Sequence, residues 1–94
     1  MLRLPILDMQ KKFPNATLYD QIGKLEEEVE EVREAETLED TVRETLDLIQ
    51  AAIGVLEMLE GTVDLKAMNV DHLKKLADRH WKFKAMLNIE REDY

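Results

Sequence analysis

The chain has 94 residues, no cysteine, and 21 acidic against 13 basic side chains, a formal net charge of −8. A chain this short forms one domain with a marginal core unless a metal, a partner subunit or tight helix packing adds to it, and disulfides and thiolate chemistry are excluded. The acidic balance excludes a general nucleic-acid binder, because the phosphate backbone would repel it, but allows a nucleotide substrate if a metal supplies local positive charge.

The residue usage, rich in Leu, Glu, Lys, Ala and Met with three Gly and two Pro, points to an all-α fold. The opening stretch from Met1 to Asp8 is too short and too soon interrupted by Pro5 for a signal peptide. No apolar run approaches the roughly 18 residues of a membrane span. The expectation is therefore a soluble, cytoplasmic protein with neither membrane nor nucleic acid as partner.

Residues 1–16 read as a lead-in, with a short helix over 4–13 closed by Pro14. Asn15 and Thr17 are candidate N-caps for the next helix. Leu18, Ile22, Leu25, Val29 and Val32 then recur on one face, predicting a helix from Leu18 to about Glu36 whose other faces are almost entirely glutamate.

Thr37 is the next N-cap, with Asp40 three positions on in a capping-box arrangement. A second helix follows from Leu38 to about Glu60, with Gly61 as its stop. Between Leu46 and Leu59 it is apolar on nearly all sides, the pattern of a buried helix. Residues 61–69 are a connection, and Asn69 or Asp71 caps a third helix with a core face of Leu73, Leu76, His80, Phe83 and Leu87. Residues 88–94 form a frayed tail. Three helices cannot surround the second one, so a partner copy completing a four-helix bundle, as a homodimer or homotetramer, is expected.

Asp47 stands out because it lies among Leu46, Leu48 and Ile49, where an unpaired carboxylate is costly. Glu44 lies one turn earlier on the same side. On the preceding helix, at about 100° per residue, Glu28 and Glu31 flank the apolar stripe, whereas Glu26, Glu27 and Glu30 point further away. If the two helices pack antiparallel, the four carboxylates Glu28, Glu31, Glu44 and Asp47 converge. Such a group suits a hard divalent cation, Mg²⁺ or Mn²⁺, and through it a phosphate chain.

The run Lys24-Leu25-Glu26-Glu27-Glu28-Val29-Glu30-Glu31-Val32, followed by Glu44-Thr45-Leu46-Asp47-Leu48-Ile49, resembles the signature of MazG-like all-α nucleoside triphosphate pyrophosphohydrolases, the MazG and dCTP-pyrophosphatase group. The family usually has glycine where this chain has Glu30. The resemblance covers residues 21–56. It implies Mg²⁺-dependent cleavage of a (d)NTP to a (d)NMP and pyrophosphate, with Glu28, Glu31, Glu44 and Asp47 as metal ligands. It also implies that one of these, or Glu27, orients the attacking water, so that Glu27 and Glu28 are the catalytic candidates.

On the third helix, Lys75, Arg79 and Lys82 recur as a basic stripe able to hold triphosphate oxygens. Trp81 lies on another face, available to a base or an interface. Two other functions fit less of the pattern. Phosphoribosyl-ATP pyrophosphohydrolases share this architecture, but the Ser-Tyr-Thr element typical of them is replaced here by Asn15-Ala16-Thr17-Leu18-Tyr19. A non-enzymatic helical interaction module has no use for an acid at position 47.

Overall fold

The computed structural model describes residues 2–93, and all regular structure among them is helical: α1 (Met9–Lys12), α2 (Leu18–Glu34), α3 (Leu38–Leu59) and α4 (Leu65–Asp78). The chain divides into two compact units, one ending at Val63 and one beginning at Asp64. No helix among the described residues is long and apolar enough to cross a membrane.

In the first unit, the lead-in is helical only over the four residues of α1, with Asp8 as its N-cap accepting from the Lys11 amide at 3.0 Å. Helix α2 starts where Thr17 can close a reciprocal cap. Its Oγ1 accepts from the Asp20 amide at 3.2 Å, and Asp20 Oδ2 accepts from the Thr17 amide at 2.7 Å, satisfying two donors that a helix start otherwise leaves open. At the start of α3 only half of this arrangement forms. Thr37 Oγ1 accepts from the Asp40 amide at 3.0 Å, but the Asp40 carboxylate is held by Arg43 at 2.6 Å.

Because only residues 35–37 separate α2 from α3, the two helices form an antiparallel hairpin. Their seam is polar and close. Gln21, buried, donates from Nε2 to the carbonyl of Ala51 at 3.0 Å. Gly54 leaves the space this carboxamide fills, since a Cβ there would collide with Gln21 Nε2 and lie 3.1 Å from its Cδ. The lead-in is tied to the same hairpin by Gln50, whose carboxamide donates to the carbonyl of Pro5.

Helix α3 is not buried all round within the chain, as its apolar sequence suggests. Ala51 is the one buried apolar residue among those described, while Leu38, Val42, Ile49 and Leu56 are exposed at 83, 59, 40 and 49%. These four lie about half a turn around the helix from Ala51 and Gly54. The stop also differs from expectation. Gly61 does not take a positive φ, and the chain turns through amides of Thr62 and Val63 that both reach the Leu59 carbonyl, at 2.9 and 3.0 Å.

In the second unit, α4 begins at Leu65, earlier than Asn69 or Asp71 would set it, because Asp64 already caps it by accepting from the Ala67 amide at 3.1 Å. It ends at Asp78, well short of Leu87. His80 adopts φ 67°, its amide donates to Ala77 O at 3.0 Å, and the Trp81 amide donates to Leu76 O at 3.1 Å. This pair of backward bonds around a left-handed residue is the Schellman ending, with histidine in the position usually held by glycine. His80 is thus an exposed cap residue rather than part of a core face, and residues 81–93 carry no regular structure.

A left-handed residue other than glycine costs about 1–2 kcal/mol. His80→Gly should therefore stabilise the end of α4 by about 1 kcal/mol, and His80→Val should destabilise it. Thermal unfolding followed by far-UV circular dichroism on the three proteins checks the order.

Candidate metal centre

Glu28 and Glu31 stand one turn apart on α2, and Glu44 faces them from α3. One carboxylate oxygen from each lies within 4.8 Å of the other two. Glu28 is buried, Glu44 half-buried and Glu31 exposed, so the group sits at the edge of the seam and opens to solvent on the Glu31 side. The polar contact of Gln21 with Ala51 lies about two turns further along α2 and fixes the register that brings Glu44 opposite Glu28.

The electrostatics of this group are visible in its protons and its vacant acceptors. Glu31 is pushed up to about 7, first by sharing a hydrogen bond with Glu28, then by one with Glu44 and by the charges of both. Oε2 of Glu28 and Oε2 of Glu44 are buried and have no hydrogen-bond partner, which is uncommon for acceptors withdrawn from water. Lys24 offsets part of the repulsion. Its Nζ lies 3.0 Å from Glu28 Oε1 and 3.7 Å from Glu27 Oε2, and the hydrogen bond to Glu28, followed by the charge of Glu28, raises its pKa above the ordinary lysine value.

Three carboxylates gathered in this way, two with orphaned oxygens, suit a hard divalent cation by donor chemistry. The residues that would hold it are Glu28, Glu31 and Glu44.

Asp47 does not join them. It is exposed and lies outside the group. Its apolar sequence neighbours do not surround it in space, because consecutive helix residues point in different directions, and Ile49 is itself exposed. Glu27 is also outside the group, with its side chain 68% exposed. Lys75, Arg79 and Lys82 do not form a helical stripe: Lys75 is on the last turn of α4, Arg79 is its C-cap, and Lys82 lies beyond the left-handed turn. Two contributors went unread in the sequence, Lys24 and Gln21. The spacing of Lys24 and Glu28, four apart on a helix, is the signal that could have found the first.

No protein-family model matches the chain, and no curated protein or solved structure matches it.

The raised pKa of Glu31 makes the metal-free protein pH-sensitive in a definite direction. The folded state retains a proton here that the unfolded state releases near pH 4.5, so stability from this group is fully present below that pH and is lost as pH rises to about 7. The Tm of metal-free protein minus that of Glu31→Gln should fall across this window, measured in EDTA. Above pH 7, added Mg²⁺ or Mn²⁺ should raise the Tm of the wild type. The gain should disappear in Glu28→Gln and Glu44→Gln and persist in part in Asp47→Asn.

Proposed function

We propose that the chain is a Mg²⁺-dependent nucleoside triphosphate pyrophosphohydrolase that cleaves a (d)NTP to a (d)NMP and pyrophosphate. The observation that carries this reading is the pair of buried, unpartnered carboxylate oxygens on Glu28 and Glu44, beside a third carboxylate that holds its proton to about pH 7. Buried acceptors left open cost a helical hairpin stability that a bound cation would return. The resemblance of residues 21–56 to the MazG-like signature supports the same reading.

When bound, the ion would supply charge neutralisation at the phosphate oxygens and a more acidic water. The chain's own groups divide the remaining tasks. Glu28 and Glu44 hold ligand oxygens on opposite sides of the seam, and Glu31 closes the group from the solvent side. Glu27 keeps a carboxylate just beyond it, where a water attacking phosphorus can be oriented and relieved of its proton as the bridging oxygen leaves with pyrophosphate. Lys24, once Glu28 turns to a cation, has an ammonium free for a phosphate oxygen.

The working form in this proposal is an oligomer. Leu38, Val42, Ile49 and Leu56 expose one apolar face of α3, and a second copy laid against it would complete a four-helix bundle. The Ile49→Glu variant should sediment as a smaller species than the wild type in analytical ultracentrifugation and melt at lower temperature.

The alternative of a helical interaction module has one observation in its favour: the Lys24–Glu28 ion pair neutralises part of the group without a metal. Pyrophosphate release from a panel of NTPs, dNTPs and phosphoribosyl-ATP with Mg²⁺ separates the readings. The hydrolase predicts release that falls at least about a hundredfold in Glu28→Gln and Glu44→Gln. Release from phosphoribosyl-ATP alone would reassign the substrate, and none from any compound would leave the module.

A further inference from the structure

A hollow of about 610 Å³ lies in the first unit where the lead-in meets the start of α2. This is within the roughly 300–1,000 Å³ usual for small-molecule sites. Its lining includes Lys12, Phe13, Asn15, Ala16, Asp20 and Lys24. Phe13 is 50% exposed although it is aromatic and near buried Gln21, and Lys12 places its ammonium 5.5 Å from the ring centroid. In a chain of net charge −8, two lysines against one acid, Asp20, beside a half-exposed aromatic ring make this lining locally basic. Lys24 belongs to both places: it lines the hollow and contacts Glu28 at 3.0 Å.

We infer that this hollow is the subsite for the ring of a nucleotide whose phosphates extend past Lys24 to the three carboxylates. The inference rests on the hydrolase reading and adds to it the part of the chain that grips the nucleoside. A flat, unsaturated base stacks on an exposed aromatic face whatever its identity. The carboxamide of Asn15, which makes no hydrogen bond within the described residues, offers both a donor and an acceptor to the edge of such a ring. Lys12 and Lys24, both in the lining, supply positive charge for an anionic chain. The occupant therefore combines an aromatic heterocycle with a phosphate chain.

The test uses the full chain, Phe13→Ala to remove the stacking face, and Ala16→Trp to fill the hollow. Each is assayed for nucleotide hydrolysis, and for backbone amide shifts on adding a panel of nucleoside monophosphates with Mg²⁺. The expected result is a KM raised about tenfold or more in both variants. The thermal shift with Mg²⁺ should be retained, and wild-type amide shifts should centre on residues 13–24. An unchanged KM in both variants, with shifts confined to the surroundings of Glu28, Glu31 and Glu44, would overturn the subsite and leave the hydrolase standing. Shifts at residues 13–24 that vanish in Ala16→Trp, without pyrophosphate release from the wild type, would sink the hydrolase and keep the nucleotide site. Neither shifts nor hydrolysis would remove both.

Discussion

The rest of the first unit is organised around a repulsion. Glu28, Glu31 and Glu44 are held within one small volume, and charges of one sign do not gather there by their own preference. What holds them is the hairpin. The reciprocal cap at Thr17 and Asp20 sets where α2 begins, Thr37 sets where α3 begins, and the short turn between leaves little freedom in how the helices align. Each cap contributes about 1 kcal/mol, and the bond from Gln21 to Ala51 a similar amount. The acids spend that stability on proximity. A proton held by Glu31 and the ammonium of Lys24 relieve part of that repulsion.

The seam between α2 and α3 is unusual in what it buries. Two of the buried residues named along it, Gln21 and Glu28, are polar, and the third is only an alanine. Small and hydrogen-bonding groups let the helix backbones approach closely, which brings carboxylates from both within reach of one another. Leu38, Val42, Ile49 and Leu56 of α3 lie on the face away from the seam. A hairpin of this kind has its polar site at the cost of an incomplete hydrophobic core.

Much of this was legible in the residues. The stripe from Leu18 to Val32 and the caps at Thr17 and Thr37 mark the hairpin to within two residues at each end, because periodicity and capping agree there. The same 100° step that defines the stripe singles out Glu28 and Glu31 from their many glutamate neighbours. Asp47 was misread because neighbours in sequence were treated as surroundings in space. The third helix was misplaced at both ends for local reasons: Asp64, Asn69 and Asp71 are all good caps, and only the fold chooses the first. At the far end a histidine takes a backbone conformation expected of glycine, so the apolar spacing of Phe83 and Leu87 suggested a helix that had already stopped. Gln21 escaped notice as a polar residue beside an apolar stripe, although it is what the seam is built on.

The fit of Gln21 against Gly54 reaches further than its own contact. Gly54 and Glu44 are ten residues apart on one rigid helix, about 15 Å along its axis, so whatever fixes the first against α2 fixes the second. If α3 slid by even one residue, Ile53 or Val55 would meet the carboxamide in place of hydrogen, and Glu44 would draw away from Glu28 in the same movement. The glycine thus works as a gauge stop for a distant cluster of charges.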